Sequence, residues 1–341
     1  MWKINLIYSF LLLFNTPLYA SDYILGQGYN LGIWNIAGYS NIQFKAPTHN
    51  QSPAKIELEH VALFVRGQVN QYINPFFEIE YATQPFWLEG QGAFPVAGDF
   101  VVERLYNESN ITEQFTARLG KMLAPTSEWN LIHANPLVPT VNRPLTTYLN
   151  LSEFISGVEL QYQTKHVWLP NIKVYYQPWA ELLPKNIIIR PIRYQNVSGI
   201  NLQYGDEFSG RIALSIQHAD LITRHEQQTL FAVDGQYDFD YVQLSSQISY
   251  TTVSGNEITR QRNYEAAGYL QVVLPMEERW NLYTRGEAFI QRDASSVHYN
   301  GVFGFNFRQQ DALVWKLEYV LQRGSLLGLS EGVYGSFGVM F

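Results

Sequence analysis

The sequence predicts an all-β chain closed into a transmembrane antiparallel up-and-down barrel. About sixteen strands are expected, with fourteen to eighteen allowed by the pattern, and one loop folded inward. Three observations predict this. Apolar and polar residues alternate with period two in segment after segment, and the connections between segments alternate between short and long. The composition combines 15% aromatic with only 16% charged residues, where soluble chains carry about a quarter charged.

The alternation comes first. From Val242 to Thr251, Leu244, Ile248 and Tyr250 fall on one side, and Gln243, Ser245, Gln247, Ser249 and Thr251 on the other. Successive strand side chains point to opposite faces, so one face meets an apolar medium and the other a polar one. Leu313, Trp315, Leu317, Tyr319 and Leu321 likewise oppose Lys316, Glu318 and Gln322. Ile212, Leu214 and Ile216 oppose Arg211, Ser215 and Gln217, and Val158, Leu160 and Tyr162 oppose Glu159 and Gln161. Such segments centre near residues 38, 61, 78, 103, 118, 159, 174, 201, 213, 232, 246, 269, 285, 303, 317 and 336, those near 61, 103 and 232 alternating poorly.

The connections test this independently. Gln68 to Asn74, Tyr106 to Glu113, Tyr204 to Phe208, Asp238 to Asp240, Pro275 to Glu278 and Arg308 to Asp311 are short. Those between are mostly longer, such as Thr83 to Asp99, Leu123 to Asn150 and Trp179 to Tyr194. Short turns at one end and long loops at the other are the asymmetry of outer-membrane barrels. An even strand count puts both termini on the short-turn side. The first strand, Leu31 to Lys45, must pair with the last, because hydrocarbon leaves an open sheet edge unsatisfied. The final strand alternates up to Phe341, a terminal aromatic that resembles the signal read by the barrel assembly machinery.

The ends and the composition bound the compartment. Lys3, an apolar run from Ile4 to Phe14 and a small-residue cleavage region ending at Ala20 predict a signal peptide over 1–20, cleaved to leave a single domain over 21–341. Export to a bacterial outer membrane, with its lipid as surroundings, is implied by the leader and the barrel together. Removal of the leader leaves 22 basic residues against 30 acidic ones, which argues against nucleic acid as a partner. With no cysteine, neither disulfides nor thiolate metal sites are available.

Alternation assigns the inward charges. The basic set is Arg66, Arg118, Lys173, Arg211, Arg285, Arg308 and Lys316; the acidic set is Glu78, Glu80, Glu159, Asp234, Glu265, Glu287 and Glu318. The bland reading is that most of them pair across the wall, as the same-face neighbours Arg285 and Glu287 could. The loop over 123–150 holds four prolines and the apolar Leu131, Ile132, Leu137, Val138, Val141 and Leu145, which need shelter from water. It is therefore predicted to enter and narrow the lumen, its alternative being to pack on the rim or on a neighbouring subunit. Lys121, His133 and Arg143, with Glu128 as counter-charge, would line that constriction.

Glu103-Arg104-Leu105-Tyr106, then Arg118-Leu119-Gly120-Lys121, then the loop with Pro125, Trp129-Asn130, His133-Ala134, Pro136-Leu137 and Arg143-Pro144 together resemble the phosphate-selective porin O/P family. The likeness covers roughly residues 76–162. It implies a sixteen-stranded, usually trimeric barrel with an inward-folded loop. Strongly anion-selective members carry rows of basic residues, whereas this lumen balances seven bases against seven acids.

The function expected is a porin for passive diffusion of small hydrophilic solutes, anionic ones among them. A non-conducting barrel acting as adhesin or structural protein through its outer loops is the alternative, and a conduit for hydrophobic substrates a further one. No enzyme and no cofactor is expected. None of His49, His60, His133, His166, His218, His225 and His298 has a Ser at i±2 on a lipid-facing strand surface, and no nucleophile elbow, metalloprotease helix or phosphate loop occurs. Asp234, Asp238 and Asp240 flank a tight turn, where solvated acids are ordinary.

Overall fold

The computed structural model describes residues 23–48, 52–132, 134–147, 149–185, 192–206, 210–255, 260–324 and 329–341. The leader predicted over 1–20 lies outside them. Sixteen strands form the wall: β1 (Trp34–Pro47), β2 (Lys55–Gly67), β3 (Asn74–Thr83), β4 (Gly98–Asn110), β5 (Phe115–Leu123), β6 (Phe154–Tyr162), β7 (Asn171–Gln177) and β8 (Tyr194–Asp206) make one half. The other half is β9 (Gly210–Leu221), β10 (Glu226–Phe239), β11 (Val242–Gly255), β12 (Tyr264–Glu277), β13 (Trp280–Ile290), β14 (Val297–Gln310), β15 (Leu313–Arg323) and β16 (Gly332–Met340). Each pairs antiparallel with the next, and every predicted strand centre falls inside one of them.

The wall closes where β16 runs against β1, from Val333 opposite Ala46 to Met340 opposite Tyr39. Phe341 extends this seam by exchanging both backbone hydrogen bonds with Gly38, at 2.7 and 2.9 Å. A Cβ on Gly38 would lie 2.7 Å from the Phe341 ring and 2.4 Å from the Ala62 carbonyl oxygen. Only glycine leaves room for the terminal aromatic there. The expected first strand is broken at Gly32, whose φ is +65°; residues Gly28–Leu31 fold back on β1 as a short hairpin.

The outward face carries Ile212, Leu214 and Ile216 on β9, Ile248 and Tyr250 on β11, and Trp315, Leu317 and Leu321 on β15, all exposed. Near the short turns, aromatic rings pair on the wall: Phe115 with Tyr162, Trp280 with Phe307 and Trp315 with Phe337, at 4.9, 4.5 and 4.2 Å between centroids. An apolar band ended by aromatic residues is the exterior a membrane barrel requires. Among the described residues no helix is long and apolar enough to cross a membrane.

Each of the three poorly alternating segments has a physical cause. The β1–β2 register skips Glu59, between His60 and Leu58, and the β3–β4 register skips Glu103, between Arg104 and Val102. Each bulge inserts a residue and resets the alternation. On β10 the inward side holds Leu230 and Ala232, apolar because Leu151 of the long loop packs on them. Outward Leu214, mid-strand on β9, gives a direct check: Leu214→Arg is expected to destabilise the barrel by about 2–4 kcal/mol, measured by denaturant unfolding from phospholipid bilayers.

Candidate pore constriction

Between β5 and β6 the chain leaves the wall and folds inside. Ser127 caps the short helix α1 (Glu128–Leu131) by accepting the Asn130 N–H at 3.2 Å. The buried Asn130 amide donates to the Ala124 and Glu153 carbonyls at 2.6 and 2.9 Å, tying together the two ends of the loop. Arg143 donates to the Trp129 carbonyl at 3.2 Å and to that of Ile132. The loop thereby supplies some of the partners that its irregular backbone lacks.

The wall supplies the rest. Glu318 on β15 accepts from the Val141 and Asn142 N–H groups at 2.9 and 3.1 Å and from the Asn142 side chain at 2.6 Å. Lys316 donates to the Asn135 and Thr140 carbonyls at 2.5 and 3.0 Å. Arg285 donates to the Asn142 carbonyl at 2.9 Å, and Glu287 accepts from the Leu145 N–H at 2.8 Å. Arg308 donates to the Pro136 carbonyl at 3.1 Å. Gln217 accepts from the Ser152 N–H at 2.7 Å, and Gln228 donates to the Asn150 carbonyl at 3.1 Å. Arg211 pairs with Glu128 at 2.6 Å. Apolar contacts fill the gaps: Val141 and Leu145 pack with Tyr283, Phe289, Val302 and Val320, and Trp129 and Val138 with Tyr269. The shelter that the loop's composition demands is the inner face of β9 to β16.

A second segment, missed in the sequence, reaches inside as well. After β7, Gln177 donates to the Trp179 carbonyl at 2.8 Å and the Leu182 N–H donates to Ser156 at 2.8 Å. Lys121 pairs with Glu181 at 2.9 Å and donates to the Leu183 carbonyl at 2.8 Å. Lys185 crosses to β4, where it pairs with Glu103 at 2.6 Å. Both ammonium groups lie over the Phe154 ring, at 4.8 and 5.4 Å. Burial alone depresses the pKa of Lys185, but Glu103, Glu153 and Glu80 outweigh it and hold the ammonium above the ordinary lysine range. The pairing joins residues far apart in the chain, and no local pattern announces it.

The expected site residues therefore separate. Lys121 is fully buried under the second segment and does not line open lumen. Glu128 faces the β9–β10 wall, where its N–H also donates to Asp234 at 3.3 Å; Asp234 is buried on the inward face. Arg143 is half-buried and braces the loop, and His133 lies outside the described residues. Arg211, Arg285, Glu287 and Lys316 are buried and, with the partly buried Arg308, fasten the loop. Arg285 also lies 3.6 Å from Glu287. Arg66 is exposed, and Arg118 and Lys173 are half-buried, on the wall opposite the loop's anchorage. Arg104, left out of the inward set because the Glu103 bulge shifts the phase, joins them. The expected acids Glu78, Glu80, Glu159, Asp234, Glu265, Glu287 and Glu318 are all buried.

No family model matches the chain. One curated relative, an uncharacterized protein of Aquifex aeolicus (strain VF5), is 29% identical over 112 residues, which cover 32% of this chain and 24% of that protein. The chain thus spans about a quarter of that relative's length. Solved structures align over nearly the whole chain. OmpT of Vibrio cholerae, an outer-membrane protein, has a TM-score of 0.64 at 10% identity, covering 92% of this chain and 99% of its own. OmpF of Salmonella typhi, in complex with daunomycin, has a TM-score of 0.63 at 12% identity, covering 90% and 97%. The anion-selective porin of Comamonas acidovorans has a TM-score of 0.58 at 13% identity, covering 90% and 98%. At such identities the likeness is one of fold: a closed porin-like barrel of the outer-membrane type.

The inward loop should depend on Glu318. Glu318→Leu removes an acceptor shared by three loop donors and the Tyr283 hydroxyl, at about 1.5–3 kcal/mol for a hydrogen bond to a charged group. Amide hydrogen exchange at Val141 and Asn142 is expected to speed up at least tenfold (about 1.4 kcal/mol), while exchange in β3 stays unchanged.

Proposed function

We propose that this barrel sits in a bacterial outer membrane and works as a porin, passing small hydrophilic solutes by passive diffusion, without catalysis. The observation that carries the reading is the unequal treatment of the two halves of the inner wall. Beneath the loop, on β9 to β16, the charges that fasten it are buried, Arg308 in part. On β2 to β7 the loop leaves Arg66, Arg104, Arg118 and Lys173 in contact with water, so the remaining path runs along that side. A polar lumen at this strand number is wide enough for water unless it is filled.

Charge placement adds a preference. Arg104 keeps 20% of its side chain exposed while its partner Glu78 keeps none, and Arg118 keeps 28% against 2% for Glu159. In these two pairs the cation faces the water and the carboxylate lies behind it, which favours anionic solutes through short-range attraction. The row of basic residues that marks strongly anion-selective members of the phosphate-selective porin O/P family is absent from this balanced lumen, so the preference rests on these pairs alone; the homotrimer that the resemblance implies is part of this proposal.

Planar-bilayer reconstitution tests the reading. Stepwise ohmic conductance is expected, with a reversal potential under a salt gradient that indicates an excess of anion flux. Arg66→Glu and Arg143→Glu should each move that potential toward cations. A silent barrel would leave the adhesin or structural role, and an unmoved potential would remove these arginines from the path.

A further inference from the structure

On the short-turn side of the inner wall, aromatic rings and guanidinium groups form one continuous array. Phe76 on β3 and Tyr106 on β4 are cross-strand partners, their rings stacked at 5.2 Å and 15°. The Arg104 guanidinium lies 4.5 Å from the Phe76 centroid, and that of Arg118 lies 5.3 Å from the Tyr106 centroid. Arg66 is the β2 partner of Phe76, completing a frame of three cations around two rings. Beside Tyr106 on β5 stands Gly120, where a Cβ would meet the Leu105 carbonyl oxygen at 2.2 Å and the Tyr106 Cα at 2.7 Å. Gly120 therefore adds no side chain beside that ring, which packs on the cluster around Met122 and Tyr175.

The three cations are not equivalent. Arg104 is paired with Glu78, and Arg118 with Glu108 and Glu159. Arg66 is exposed and, among the described residues, has no carboxylate within ion-pair distance. A guanidinium without a counter-ion presents its planar donor fork to an incoming carboxylate. The adjoining rings, stacked on each other and each with a guanidinium over it, leave apolar ring edges within one strand spacing, about 4.8 Å. A ligand using both must carry a carboxylate and an aromatic ring on a short rigid frame. Inorganic phosphate has no apolar face, and a neutral sugar has no charge for Arg66.

We propose that Arg66, Phe76 and Tyr106, with Arg104 and Arg118 stacked on the rings, form a binding site for aromatic carboxylates at the turn-side mouth of the lumen. The site rests on the channel reading above, because it gives the diffusion path a selective station. The Arg66 fork takes the carboxylate, and the ring lies against the Phe76–Tyr106 pair.

Benzoate, acetate and inorganic phosphate serve as probes, titrated calorimetrically into the detergent-solubilised full barrel and, separately, as blockers of chloride current in a planar bilayer. Benzoate is expected to act at about tenfold lower concentration than acetate, equivalent to about 1.4 kcal/mol, within the range of an aromatic pair. The Phe76→Leu/Tyr106→Leu variant should lose that ratio while keeping its affinity for acetate, and Arg66→Gln should weaken both acids together. Equal titration by benzoate and acetate in the unaltered protein overturns the proposal without reliance on any variant folding; so does tighter binding of phosphate, or a ratio that survives the double substitution. Calorimetry needs no conduction. A silent barrel that prefers benzoate would sink the channel and keep the site, and a conducting barrel without the preference would do the reverse.

Discussion

Hydrocarbon offers no partner to a peptide group, and each N–H or C=O left bare in it costs several kcal/mol. A sheet crossing a bilayer must therefore pair its last strand with its first, and the β1–β16 seam meets that condition up to the final residue, where Phe341 and Gly38 exchange hydrogen bonds. Closure in turn dictates both surfaces of the wall. With every second side chain turned outward, the exterior has to be apolar, and leucine, isoleucine and aromatic residues hold those positions. Closure also encloses more space than the inward side chains of sixteen strands fill. Water or chain must occupy the remainder.

Here chain occupies much of it, and the reason lies in two shortages that answer each other. An irregular loop has peptide groups with no ladder to join. A buried Arg285, Lys316, Glu287 or Glu318 has a charge whose desolvation is costly unless polar groups surround it. Placed face to face, the carbonyls of Asn135, Thr140 and Asn142 receive the cations, and the N–H groups of Val141, Asn142 and Leu145 donate to the carboxylates. A leucine at any of these wall positions would pack but leave peptide groups orphaned. This is why the wall under an apolar loop is itself charged.

The strand centres, the two faces and the inward loop are legible in the sequence because each repeats a local rule, period two or the need to shelter apolar residues. What escapes depends on events that no short window contains. The bulges at Glu59 and Glu103 reset the phase, and the second hides Arg104 from the inward set. Leu230 turns inward in spite of its chemistry because Leu151, far away in the chain, covers it. Alternation assigns Lys121 to open lumen, yet it is paired with Glu181; the apolar Trp179, Leu182 and Leu183 beside that acid signal a need for shelter, but nothing local says that Lys121 is its partner. Alternation says which way a side chain points, and only tertiary packing says whether water is there to meet it.

The same distinction governs charge. Seven inward bases against seven inward acids suggest a neutral lumen, yet a count by formula ignores depth. A carboxylate on a short stem stays near the wall, whereas arginine carries its charge outward on a long one. The Arg104–Glu78 and Arg118–Glu159 pairs are therefore dipoles with their positive ends in the water, as their exposures record. At distances beyond the pair separation the two charges largely cancel, and salt screens what is left within about 8–10 Å. A solute in mid-lumen meets little field, but one touching the wall meets guanidinium before carboxylate. Such an arrangement discriminates by contact rather than by long-range attraction, so the preference of this barrel rests on the groups neighbouring each arginine, and on β3 and β4 those groups are aromatic rings.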